Sequence, residues 1–99
     1  MISISSYYGN SSSAENNAKM VTVDGMRFYF SYETLVAVED LDTNDLHVRE
    51  NDWGPTTGKH LNAIDGGDKE AKAKRLSGDE FETLVDQIKT QVYVDAVPA

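Results

Sequence analysis

Residues 54–60 read Gly-Pro-Thr-Thr-Gly-Lys-His, a run of the types that bind phosphate. A phosphate loop requires four residues between its glycines and a hydroxyl after its lysine to reach Mg²⁺. Here three intervene and His60 follows Lys59, so the backbone cradle and the metal contact are both missing. What remains is the attraction of a helix N-terminus for an anion, with Thr56, Thr57, Lys59 and His60 as the candidate anion or contact site. The plainer reading is a short helix capped by Thr56 or Thr57, whose hydroxyl accepts a bond from an unpaired backbone N–H of the first turn.

Asp40, Asp42 and Asn44 copy the first ligand positions of a calcium-binding loop. The pattern then fails, because Asp45 stands where the turn-forming Gly belongs and Asn51 where the bidentate Glu belongs. A turn whose Asp and Asn side chains bond their own backbone explains the same residues. His47 and His60 are the only imidazoles and there is no Cys, so no metal site is expected. His60, Asp52 and a Ser or Thr make a triad on paper, without the strand–turn–helix context that exposes a nucleophile. The chain is therefore read as a non-enzyme without cofactor.

Charge offers a different chemistry. Net charge is −8, and residues 31–52 carry seven acids against Arg49 alone. Glu39, Asp40, Asp42, Asp45, Glu50 and Asp52 are the candidate partner-binding residues, set on a strand and its adjoining turns where they can meet a basic protein surface. Lys69, Lys72, Lys74 and Arg75 form one locally basic segment, residues 69–75, the alternative surface for nucleic acid. An acidic chain is repelled by phosphate unless such a patch is compact, so nucleic acid is the less expected partner.

The elements that must position these residues follow from periodicity. Residues 1–18 comprise an edge-strand alternation (Ile2, Ile4) and a Ser/Asn-rich stretch read as partly flexible. Val21 and Val23, then Met26, Phe28 and Phe30, alternate on either side of Asp24-Gly25, a strong two-residue hairpin signal. Phe28 and Phe30 are expected in the core, with Tyr29 and Arg27 on the opposite face and the Tyr29 hydroxyl in water. Residues 32–39 and 46–49 read as further strands, with Trp53 beside Leu61 and Ile64 at the corner that follows. Residues 65–76 are expected as a linker. Ser77 and Glu80 have capping-box spacing, and Phe81, Leu84, Val85 and Ile88 give one apolar stripe on a helix over residues 77–91.

A Tyr-x-Thr-x-Val-Ala strand (Tyr32, Thr34, Val36, Ala37) precedes a Trp-x-x-Thr-Thr-x-x-His-x-Asn corner (Trp53, Thr56, Thr57, His60, Asn62). This pairing resembles a family of small uncharacterised phage- and prophage-encoded proteins over residues 20–64. The resemblance implies a viral origin and no particular chemistry.

These readings give one α+β domain over residues 1–99. It has an antiparallel sheet of about four strands, residues 19–64 holding the sheet and a short helix, and a C-terminal helix packed across it. No window reaches the ~20 apolar residues of a membrane helix, and the expected compartment is the host-cell cytoplasm. The expected function is stoichiometric binding of a host protein with a basic surface, of the kind anti-CRISPR proteins perform. The alternatives are nucleic-acid binding through residues 69–75 and self-association as a virion or assembly component.

Overall fold

The structure, a computed structural model, describes residues 2–8 and 17–96, with side chains to residue 90. In chain order it forms β1 (Ile2–Ser6), β2 (Ala18–Val23), β3 (Met26–Ser31), β4 (Thr34–Asp40), β5 (Asp45–Val48), α1 (Pro55–Asp65), α2 (Lys69–Ala73) and α3 (Gly78–Ala96). The strands make an antiparallel meander in sequence order. The sheet has five strands where about four were expected: the Ile2/Ile4 alternation joins it, with Ile4 opposite Val21. Most of the Ser/Asn-rich stretch lies outside the described residues.

The Asp24-Gly25 hairpin forms as its sequence dictates, both residues taking positive φ (45° and 85°), which a two-residue turn requires to match strand twist. The next turn is less legible. Residues 32 and 33, expected within a strand, instead make the β3–β4 connection, since Ser31 pairs with Thr34. Tyr32 takes φ 57° there and its N–H donates to the Asn17 carbonyl at 2.7 Å.

The two faces of the sheet meet different helices, one closely and one across a groove. One face meets α1: Tyr29, Val36, Ala37 and Val48 pack with Leu61 as the buried core, with Tyr7, Met20, Leu46 and Ile64 around them. A register shift between Tyr29 and Phe30 is the β-bulge that lets neighbouring Val36 and Ala37 join this one cluster. The other face carries Phe28, Phe30, Leu35 and Val38 beneath α3. The expected assignment is thus corrected: Tyr29 is the buried aromatic residue of β3, while Phe28 and Phe30 are half-buried.

Three local expectations are also corrected. The N-cap of α1 is Gly54, with Pro55 opening the helix and no side-chain cap bond. Proline suits that position because its fixed φ is helical and the missing N–H had no partner to lose. Residues 65–76 are no plain linker. Asp68 caps α2, accepting from the Ala71 N–H, and Leu76 exchanges backbone bonds with Val48 and Glu50, bridging the outer side of β5. Trp53 lies away from Leu61 and Ile64 and is 46% exposed, its ring against the Arg49 guanidinium at 4.8 Å.

Candidate functional site

A groove of about 970 Å³ lies between α3 and the second face of the sheet, a volume in the range of small-molecule and peptide-anchor sites. Its floor is Phe28, Phe30, Leu35 and Val38, and its helical wall is Phe81, Val85 and Ile88. Spacing builds that wall, since residues at i, i+4 and i+7 recur on one side of a helix. Only Phe81 is fully buried; it seats the start of α3, and the next two turns stand over open space. Placement of α3 is secured by its capping box. The Ser77 N–H donates to Glu80 Oε1 at 3.1 Å and the Glu80 N–H to Ser77 Oγ at 3.2 Å. Hydrogen bonds to the carboxyl from the Ser77 backbone N–H and from the Ser77 side chain hold Glu80 below its usual range.

Arg49 closes one end of the groove. Its Nη2 donates to Asp52 Oδ2 at 3.0 Å and its Nη1 lies 3.8 Å from Glu82 Oε1. A side chain on Gly78 would meet Nη2 at 2.6 Å, so glycine at the start of α3 lets the guanidinium pass. Nε of Arg49 is buried without a hydrogen-bond partner among the described residues. That donor is enclosed rather than presented to the groove, so it carries a desolvation cost and is not a contact for a bound group. Glu82 and Asp86 line the rim with Lys89, and Asp79 and Glu80 are exposed on the same helix, giving that wall an acidic border.

The six candidate acids do not gather in one place. Asp40, Asp42 and Asp45 surround the β4–β5 turn, adjoining Asp24-Gly25 through the bond from the Leu41 N–H to the Gly25 carbonyl. Asp40 is occupied within the turn, accepting from the N–H groups of Asp42 and Thr43, and Asp45 accepts from the Thr43 hydroxyl. Glu50 and Asp52 follow the far end of β5, roughly 13 Å along the strand. Glu39 is half-buried between them, accepting the Tyr29 hydroxyl at 2.8 Å and paired with Arg27 at 3.6 Å. Burial raises the Tyr29 hydroxyl above its usual range, and the Glu39 carboxylate adds to the rise against the opposing pull of Arg27.

The Thr56–His60 corner divides in two. Thr56 and Lys59 are exposed, whereas Thr57 and His60 are buried. Ser31 Oγ lies 3.0 Å from Thr57 Oγ1 and 2.7 Å from His60 Nδ1, and the rings of Tyr7, Tyr8 and Tyr32 surround the imidazole. A Ser–His contact of that length is the geometry of an activated nucleophile. Here Ser31 is 2% exposed and His60 fully buried, so no substrate reaches them and the pair fastens α1 to β3. Asp52 does not join His60; it pairs with Arg49.

The basic segment is depleted by its own fold. Arg75 is buried against Asp65 in a two-pronged pair, Nε to Oδ2 at 2.8 Å and Nη2 to Oδ1 at 2.9 Å. Burial would raise the Asp65 carboxyl, but the Arg75 guanidinium and the Gly67 N–H outweigh it and hold the carboxyl below its usual range. Lys69, Lys72 and Lys74 stay exposed. Among the described residues no three His, Asp or Glu side chains gather as a metal site, and no helix is long and apolar enough to cross a membrane.

Fold and site together define a small α+β meander domain with an apolar groove under its last helix. The chain belongs to the Family of unknown function (DUF8033), which matches residues 2–83, the sheet through the first turn of α3. No curated protein and no solved structure matches it.

Of the residues that build the groove, Phe28, Phe30, Phe81, Val85 and Ile88 stood out in the sequence only as core. The signal that could have separated them is a count of apolar faces. Two helices and a double-sided sheet offer more apolar surface than a domain of this size encloses.

Proposed function

We propose that this protein is a non-enzymatic accessory protein of phage or prophage origin. It acts in the host-cell cytoplasm by binding one host protein stoichiometrically, and the groove under α3 receives an apolar, basic-flanked segment of that partner. The observation that carries this reading is the apolar groove itself, bordered by Glu82 and Asp86 with Arg49 at one end. Apolar anchors in such a cavity supply affinity, and acids around it raise the encounter rate with a basic partner. Asp40, Asp42 and Asp45 add steering charge at the far turn. A host-defence component with a positively charged surface, the kind of target anti-CRISPR proteins inhibit, has the complementary chemistry.

The test is selection from a random displayed-peptide library against the purified protein, repeated with Val85→Asp. Selected peptides are expected to share apolar residues three or four apart with Lys or Arg beside them. Their binding is expected to fall at least about tenfold with Val85→Asp, the loss of one good anchor, while circular dichroism is unchanged. Peptides that bind Val85→Asp as well as the native protein would refute the groove as the site.

A further inference from the structure

We propose that the outer edge of β1 pairs with β1 of a second copy of this chain, antiparallel about a two-fold axis at Ser3. This surface is separate from the groove and does not rest on the function assigned to it.

The two edges of the sheet are treated differently. Beside β5, the Leu76 N–H donates to the Val48 carbonyl and its carbonyl accepts from the Glu50 N–H. Beside β1 no strand is present among the described residues. The Tyr7 N–H donates to the Ala18 carbonyl at 3.1 Å, continuing the register in which Ser5 faces Met20 and Ser3 faces Thr22. In an antiparallel ladder hydrogen-bonded and non-bonded pairs alternate, so the odd residues of β1 bond inward. The N–H and C=O groups of Ile2 and Ile4 therefore point outward, and among the described residues nothing accepts or donates to them.

An edge of this kind is a template for another chain unless it is blocked by charge, proline or a bulge. Ile2–Ser6 reads Ile-Ser-Ile-Ser-Ser and contains none of these. Ile2 and Ile4 are 67% and 69% exposed, on the same face as Val21, Val23 and Phe28. A second copy would extend that apolar surface across the junction.

Charge selects a copy of this chain over a basic partner at this place. Residues 1–23 contain Glu15 and Lys19 as their only charged side chains and are neutral overall, whereas the whole chain carries −8. Two copies repel least with these edges together, and a basic segment finds nothing to attract it. The proposed register, with Ser3 on the axis, pairs the outward groups of the two isoleucines. Ile2 of each copy exchanges bonds with Ile4 of the other, and Ser3 faces its counterpart in a non-bonded pair, where Cα atoms lie about 4.5 Å apart.

That spacing falls within disulfide range, and the chain has no native Cys to interfere. Under mild oxidation Ser3→Cys is expected to form a covalent dimer, lost when Ile4→Lys is added to the same chain. Ser5→Cys is expected to stay monomeric, because its two copies would stand roughly 13 Å apart along the ladder. Equal crosslinking of Ser3→Cys and Ser5→Cys would mean random collision and would overturn the proposal. So would a Ser3→Cys protein that remains monomeric, or one that crosslinks regardless of Ile4→Lys.

Discussion

Ser31 concentrates more consequence than its size implies. One hydroxyl serves Thr57 and His60 across 26 and 29 residues of chain, joining the bulged end of β3 to α1 inside an aromatic enclosure. Replacing it by Ala removes a partner from two buried polar groups, which costs about 1–3 kcal/mol for each buried group left unsatisfied. Urea unfolding of Ser31→Ala is expected to show that loss; a midpoint equal to the native one would contradict the linkage. Arg75 and Asp65 are the corresponding ionic pair, with side chains 7% and 8% exposed. Removing one member of a buried pair costs about 3–5 kcal/mol, so Arg75→Ala is expected to be among the most destabilising single changes. The folded Asp65 carboxyl titrates below its unfolded value. Its contribution is therefore present above about pH 4, the unfolded carboxyl value, and lost as pH falls through the folded value. Thermal melts between neutral and acid pH are expected to lose less stability in Asp65→Asn than in the native protein. Equal acid slopes would contradict this.

At the scale of elements, the two helices on the sheet differ in how completely they are buried against it. Leu61 of α1 is fully enclosed, whereas Phe28, under α3, borders open space. Leu61→Ala is expected to cost about 2–5 kcal/mol, and Phe28→Ala less than Leu61→Ala although more atoms are removed. Paired urea titrations decide the order, and a larger loss for Phe28→Ala would mean that α3 is packed down on the sheet. The same contrast explains which elements the sequence made legible. Asp24-Gly25 announces its turn because its φ values leave few alternatives, and Ser77 with Glu80 announces a helix start because each satisfies the other. Alternation in β3 was equally clear but could not say which face was the interior. Met26, Phe28 and Phe30 are the more apolar set, yet Tyr29 is the one enclosed, since its ring meets α1 and its hydroxyl has Glu39 to bond. The Arg75–Asp65 pair joins residues ten apart through tertiary folding, and no local spacing marks it. Pro55 did carry a signal, at the first position of a helix, that the neighbouring threonines outweighed in the reading.

For the whole molecule, the proposed function joins the surplus of acids to the groove. In it, exposed charges such as Asp24, Asp42 and Asp45 at the turns and Asp79, Glu82 and Asp86 on α3 steer a basic partner over distances that salt screens within about 8–10 Å. Reversing the exposed Asp42 and Asp45 to Lys, with the half-buried Asp40 left to accept its two turn N–H bonds, is expected to leave the fold intact, exposed charges adding little to stability. It is expected to slow association with a basic partner and flatten its dependence on salt. An unchanged association rate would assign the steering to the acids of α3 instead.

In the proposed function a partner binds in the space between α3 and the sheet. The most direct measurement is a titration of the isotopically labelled protein with a basic, apolar peptide from the library selection, followed by amide chemical shifts. The account predicts changes concentrated at Phe28, Phe30, Leu35, Val38, Phe81, Val85 and Ile88, with Leu61 and His60 unmoved on the opposite face. Shifts confined to the Asp40–Asp45 turn, or to α1 and its buried histidine, would contradict it.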